Sequence, residues 1–265
     1  GVLCAILHFC LPYVYYGISW TIRMSLLALA APMLLMSLLP TDTRMVRVTV
    51  LCFALPTVIA QGTLHIVDGL AAFEDDVANG RGGLGNIITW AAGNGLDSDD
   101  DSNKDGYANA RQTIAVTAIT HQGDQSWYAE PGANILVAAH SDGDGEGITT
   151  TDIEGSSGYT NNDYTNDFGG TSSATPLASG VIALILEANA NLTWRDVQHV
   201  LVHSSRQNDA SDGSWNVNGA GHDVSHKYGF GAVDAGRAVA VAENWTNVAS
   251  ANNITSNTRS INTAI

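Results

Sequence analysis

The tightest constraint on this chain is the run Gly169-Gly170-Thr171-Ser172-Ser173-Ala174-Thr175-Pro176 and the apolar stretch directly after it. Few breakers interrupt residues 174–189, which predicts a buried helix. The two glycines ahead of it form a small, flexible turn. A serine at such an entry, Ser172, can be held with its Oγ in the open. The N–H groups of a helix's first turn lack intrahelical acceptors, so those beside Ser172 are free to bind an oxyanion. The same residues also suit a plain loop-to-helix junction with Thr171 or Ser172 as the N-cap.

The remainder supplies a sheet for that helix to lie on. Residues 86–92, 113–120 and 134–139 read as short strands, apolar or rich in β-branched side chains. Residues 70–79 read as helical, 80–85 as a turn, and 142–166 as a polar surface loop or hairpin. Thr193 is placed to cap another helix, with Asp196 able to bond back to it. A last helix is expected over 234–243. Strands separated by helices and loops predict an α/β fold with a mostly parallel sheet and ligands at the strands' carboxyl ends. Asn94, in Gly93-Asn94-Gly95, stands at such an end. It is either a tight turn or an amide aimed at a ligand.

Charge narrows the partners. The 265 residues carry a formal net charge of -15, yet residues 1–66 hold Arg23, Arg44 and Arg47 against Asp42 alone. The acidity of the rest argues against a nucleic-acid partner. It suits a cationic substrate or a carboxylate-bound calcium ion. Cys4, Cys10 and Cys52 all lie in the first segment, so no disulfide framework supports the acidic part. Residues 1–60 differ sharply in composition. They contain three apolar runs, with Pro12 and Pro32 inside the first two, and no clean span of about 20 residues. Interrupted membrane helices, a signal-type sequence, and a stretch unrelated to the downstream domain (through a shifted frame or a mis-joined exon) all fit; the abrupt break favours the third. A start at Gly1 reads as a fragment or processed product. The expected organisation is a hydrophobic segment at 1–60, a partial domain at 61–245, and an Asn/Ser/Thr-rich linker or tail at 246–265. Asn191, Asn244 and Asn253 head glycosylation sequons.

Gly170-Thr171-Ser172-x-Ala174-x-Pro176, ahead of a small-residue helix, resembles the nucleophile motif of subtilisin-like serine proteases. Asn94 then matches that family's oxyanion-hole asparagine. The kexin/furin-type proprotein convertases are similar over a longer, ordered series. It comprises Gly80-Arg81-Gly82-Gly83-Leu84-Gly85, Trp90-Ala91-Ala92-Gly93-Asn94-Gly95, Asp105-Gly106-Tyr107 and Trp127-Tyr128-Ala129-Glu130. Asn191-Leu192-Thr193-Trp194-Arg195-Asp196-Val197-Gln198-His199 and Val224-Ser225-His226-Lys227-Tyr228-Gly229 complete it.

The resemblance runs through most of residues 63–245. It implies a subtilisin-like three-layer fold, incomplete on its N-terminal side, with the tail leading toward a P-domain. It implies a calcium-dependent serine endopeptidase of the secretory pathway or extracellular space. Such an enzyme cleaves basic peptides or proproteins after paired basic residues. On the same resemblance Ser172 is the nucleophile and Asn94 stabilises the oxyanion. Asp105 lines the pocket for the first basic side chain. Asp68 meets a more distant basic residue, with Tyr107 bordering that subsite. Asp100 and Glu130 hold Ca2+, completed by a further acid and backbone carbonyls.

The family's triad aspartate and histidine precede the asparagine, and here they find no match. Asp42 stands in Thr-Asp-Thr, His8 in Leu-His-Phe and His65 in Leu-His-Ile. Two alternatives stay open: an inactive fragment that binds basic peptides, and a membrane-associated protein, anchored through residues 1–60, with a vestigial protease domain.

Overall fold

The computed structural model describes residues 68–249. The segment 1–60, the tail from residue 250, Asp42, His8, His65 and the Asn253 sequon lie outside them. The chain divides into two compact units, residues 1–71 and 72–265. Of the first, only residues 68–71 are described, and they are helical.

Helical hydrogen bonding continues through residues 68–83 (α1), past the expected end at 79. The backbone turns left-handed at Arg81 (φ 49°), Gly82 (70°) and Gly83 (94°), so the expected turn is built into the unwinding end of the helix. Three strands come next: β1 (Ile88–Ala91), β2 (Thr113–Ile119) and β3 (Ile135–His140). They form a parallel sheet in the order β1-β2-β3. All three expected strands are present, and β2, flanked on both sides, is buried along its whole length.

Because successive strand residues face opposite ways, the sheet has two covered faces. Ile114, Val116 and Ala118 of β2 join Val137 and Ala139 of β3 in the main core, shared with the helices. Ile119 and Ala138 instead pack with Tyr228 and Ala232.

The long helix α2 (Thr171–Ala188) begins three residues earlier than the apolar run suggests. Gly170, at φ 82°, is its N-cap, and no side chain caps it; neither Thr171 nor Ser172 takes that role. The buried stripe Ala174, Ala178, Val181, Ile182 and Ile185 recurs at helical spacing. It lies on all three strands and on α4 (Ala235–Glu243). Among the described residues α2 alone is long and apolar enough to cross a membrane, and here that stripe forms the core.

Helix α3 (Trp194–Ser204) packs on α4 and β3. Its N-terminus carries the expected capping box. Thr193 Oγ1 accepts from the Asp196 N–H, and Asp196 Oδ2 accepts from the Thr193 N–H at 2.8 Å. Asp196 Oδ1 also accepts from Trp245 Nε1 (3.0 Å) and Val248 N (2.7 Å), closing the chain over the helix end. Arg81 reaches the carbonyls of Leu192 and Ala190, tying the end of α1 to the connection before α3. The polar stretch 142–166 holds an antiparallel pair, β4 (Ile148–Thr151) with β5 (Tyr164–Phe168). A second, shorter pair joins β6 (Asn216–Val217) to β7 (Asp223–Val224).

Candidate active site

Asn94 lies three residues past the carboxyl end of β1, and Ser172 is the second residue of α2. Both side chains are exposed. They are 78 positions apart in sequence, and Thr171, at the head of α2, brings them together. Asn94 Oδ1 accepts from the Thr171 backbone N–H at 2.8 Å and from Thr171 Oγ1 at 2.9 Å. Thr171 Oγ1 in turn accepts from the Gly93 N–H at 3.3 Å. With its oxygen so held, the amide presents Nδ2 as the free end.

Gly170 shows where that end lies. A Cβ built on Gly170 would stand 3.3 Å from Asn94 Nδ2 and 3.6 Å from the Ser172 backbone nitrogen. The amide donor and the first-turn N–H of Ser172 therefore flank one small space kept open by a glycine. Two donor nitrogens near one point, beside an exposed hydroxyl, make an arrangement that can stabilise an oxyanion formed at the carbon the hydroxyl attacks.

A layer beneath holds the Gly169-Gly170 turn. Gly170 N–H donates to Asp142 Oδ1 at 2.8 Å and to the Tyr128 hydroxyl at 3.0 Å. Ser141 Oγ donates to the Gly170 carbonyl at 2.8 Å and meets Ser173 Oγ at 2.6 Å. The Tyr128 hydroxyl donates to Asp142 Oδ1. Burial, and then the Asp142 carboxylate, push the Tyr128 phenol above its ordinary range, so it stays a donor. A Cβ on Gly169 would overlap the Asp142 carboxylate. Sequence reasoning missed Ser141 and Asp142: they come just after β3, far from the motif they support, and no local pattern marks them. The adjacent cleft, about 360 Å³, is lined by Trp127, Asp142, Asp144, Glu146 and Asp167.

The acidic candidates form a second group. Glu130 is 7% exposed and accepts from the Gly95 N–H at 2.8 Å. A Cβ on Gly95 would stand 3.0 Å from Glu130 Oε1 and 3.4 Å from Asp100 Oδ2, so these carboxylates converge beneath the Asn94 loop. Burial raises the Glu130 carboxyl above its ordinary range, and Asp100, Asp105 and Asp101 add to the rise. Asp105 is exposed, and its Oδ1 accepts from the N–H groups of Tyr107 (2.7 Å) and Ala108 (3.1 Å). Tyr107 packs its ring 5.1 Å from Trp90 and 5.6 Å from Phe73. Asp68 is exposed in the first described turn of α1, within the unit of residues 1–71.

Asp100 and Glu130 supply oxygen donors of the kind calcium takes, and the mutual repulsion around Glu130 is what a bound cation relieves. Among the described residues, no three His, Cys, Asp or Glu side chains are grouped to hold a metal ion.

The six described histidines stand elsewhere. His140 Nδ1 is hydrogen-bonded with the Thr120 carbonyl at 2.8 Å. His199, His203 and His222 make ring contacts with one another or with Trp245. No hydrogen bond joins Ser172 Oγ to a described residue.

Residues 47–231 match the subtilase family, Peptidase S8. Furin from Homo sapiens is 44% identical over 190 residues, covering 69% of this chain and 23% of furin. Proprotein convertase subtilisin/kexin type 6 from Homo sapiens is 46% identical over 181 residues, covering 68% of this chain and 18% of that protein. The chain thus spans about a quarter or less of the length of these relatives. Among solved structures, the serine protease of Aeromonas sobria superposes with a TM-score of 0.65 at 25% identity, over 69% of this chain and 41% of that one. The chain is α/β with a parallel sheet and corresponds to part of a catalytic domain in the furin-like relatives; it belongs to the subtilase family of serine-type peptidases.

Proposed function

We propose that this chain carries the nucleophile half of a calcium-dependent serine endopeptidase of the kexin/furin type, one that cleaves basic peptides or proproteins after paired basic residues. The observation that carries the reading is the grip of Thr171 on Asn94 Oδ1, which leaves the amide nitrogen beside the exposed Ser172. Ser172 Oγ attacks the scissile carbonyl and passes its proton to a general base. Asn94 Nδ2 and the Ser172 N–H receive the negative charge that develops on the carbonyl oxygen. Asp105 receives the basic side chain preceding the scissile bond, where a carboxylate pairs with guanidinium or ammonium. Tyr107 borders the subsite of a more distant basic residue. Asp100 and Glu130 would hold calcium with further oxygen donors, which would supply a charge that steadies the loop carrying Asn94 and Asp105. The base and its orienting carboxylate come from outside residues 68–249.

The proprotein convertase relative supports a proprotein substrate, and the secretory pathway or extracellular space is the setting proposed with it. The acid-lined cleft beside Gly170 supports a cationic one.

The test is cleavage of a fluorogenic peptide ending in Lys-Arg against one ending in Ala-Ala. Cleavage of the first alone, lost in Ser172→Ala and reduced at least about 100-fold in Asp105→Asn, is expected. Equal cleavage of both peptides would refute the basic specificity. A second reading is favoured by the histidines' placement: without a base the chain binds basic peptides and does not cut them. Binding of the Lys-Arg peptide with no turnover, unchanged in Ser172→Ala, would select it.

A further inference from the structure

Trp127 is 66% exposed, although it directly precedes Tyr128, which is 4% exposed. The two rings meet edge to face with centroids 5.3 Å apart. Tyr128 is the residue whose hydroxyl accepts from the Gly170 N–H. The indole is thereby held beside the turn that delivers Ser172, on the wall of the cleft of about 360 Å³. Residues 127–130 run between two regions. At one end Trp127 opens on this cleft, and at the other Glu130 accepts from the Gly95 N–H in the Asn94 loop.

The facing wall is a tight hairpin. Gly143 N–H donates to the Glu146 carbonyl at 2.9 Å, and Glu146 N–H donates to the Gly143 carbonyl at 3.1 Å. The two residues between them, Asp144 (φ 55°) and Gly145 (φ 85°), are both left-handed, the backbone that an Asp-Gly pair gives a two-residue turn. Asp142 is committed to Gly170 and Tyr128. Asp144, Glu146 and Asp167 are exposed, and among the described residues no hydrogen bond or ion pair engages their carboxylates.

Carboxylates alone would make no more than a solvated surface. An exposed indole across the same cleft adds an independent preference for the same chemistry, because a cation is drawn to the face of tryptophan. Arginine satisfies both, its flat guanidinium stacking on the ring while its edge pairs with carboxylates. A peptide opened by Ser172 continues on both sides of the scissile bond. The Asp105 pocket serves the side before it and belongs with the Asn94 loop. The cleft adjoins the Gly169-Gly170 turn instead.

We propose that this cleft receives an arginine or lysine one or two residues after the scissile bond, with the cation between the Trp127 indole and the carboxylates of Asp144, Glu146 and Asp167. The proposal rests on the peptidase reading above and adds to it a second, leaving-group-side basic specificity.

The experiment is equilibrium binding to the full 265-residue chain carrying Ser172→Ala, which leaves every peptide uncut. The probes are fluorescent peptides containing Lys-Arg-Ser-X or Lys-Arg-X-Ser, with X arginine, norleucine or glutamate. In one or both series arginine at X should bind about 10-fold more tightly than norleucine, and glutamate more weakly than either. Trp127→Ala, and the pair Glu146→Gln with Asp167→Asn, should each remove most of that gain and leave the norleucine peptides unchanged. Trp127→Phe should keep part of it. All these side chains are exposed, and far-UV circular dichroism checks each variant's fold. Asp105→Asn should weaken all the peptides alike. Equal binding of the arginine and norleucine peptides, or an arginine gain that survives both cleft variants, overturns the proposal. A cleft-dependent gain in a chain indifferent to Asp105→Asn would instead refute the Asp105 pocket and leave this one standing.

Discussion

At the scale of single residues, the glycines of the site are as telling as its functional side chains. Gly170 must adopt φ 82°, and any Cβ there would enter the space between Asn94 Nδ2 and the Ser172 nitrogen. Gly93, at φ 116°, backs onto Glu130, and a Cβ there would overlap its carboxylate. The buried Glu130 sits in a field of Asp100, Asp105 and Asp101. Ionised, it costs stability unless a cation answers it. In chelator, Glu130→Gln should therefore raise Tm by a few degrees. In millimolar calcium the order should reverse, the parent gaining stability and the variant not. Thermal unfolding of both proteins in both buffers checks this, and a calcium gain of equal size in Glu130→Gln would remove Glu130 from the ion's ligands.

At the scale of elements, the Asp196 cap binds three pieces of chain together. It serves Thr193 at the start of α3, and Trp245 and Val248 after α4. Burial alone would raise its carboxyl, but the bonds from Thr193, Val248 and Trp245 outweigh that and hold it below the ordinary carboxylate range. A depressed carboxyl stabilises the fold above the unfolded value and loses that contribution as pH falls through the folded one. Asp196→Asn should cost about 2–3 kcal/mol near neutral pH. The gap to the parent should shrink as pH drops below the ordinary aspartate range and on through the lowered folded-state value. Urea titrations at several pH values measure the difference, and a gap independent of pH would contradict this role for the cap. Helix α2 answers to a different force. Ile185 is fully buried among strand and helix side chains, so Ile185→Ala should cost about 2–5 kcal/mol by leaving a cavity, read from the same titrations.

The elements also show how much of the fold is legible in the sequence. The three strands, the capping box and the last helix rest on local signals: β-branched runs, Thr193 with Asp196, and apolar spacing. The start of α2 does not, because apolar periodicity begins at Ala174 while the helix is set by the glycine turn before it. Asn94 and Ser172 are readable because each sits in a compact motif. Ser141 and Asp142 are not, because their role is defined by a meeting with Gly170 across the fold, and a serine next to an aspartate ahead of a Gly-rich loop looks like surface. The helical end of α1 at Arg81–Gly83 is hidden for the opposite reason, since glycines there read as a turn while the hydrogen bonding still keeps to the helix.

At the scale of the whole molecule, charge is the dominant property. Net charge is -15, and residues 141–193 contain seven acids in their first 27 positions and no Lys, Arg or His at all. A field of that sign gathers cationic peptides and falls off with salt, the screening length being about 10 Å at 0.1 M. KM for a Lys-Arg peptide should rise several-fold between about 0.05 and 0.5 M salt, while a neutral peptide's weak interaction should change little. Steady-state kinetics, or equilibrium binding if turnover is absent, would show it; a salt-independent constant would place the recognition outside this surface. The most direct test of the central claim, that Asn94 and Ser172 serve one oxyanion, is the rate at which an arginine-bearing peptidyl phosphonate labels the chain, with the modified residue located by peptide mass spectrometry. A single adduct on Ser172 is predicted, formed about 100- to 1000-fold more slowly in Asn94→Ala; an adduct on another residue, or an unchanged rate without the Asn94 amide, would contradict it.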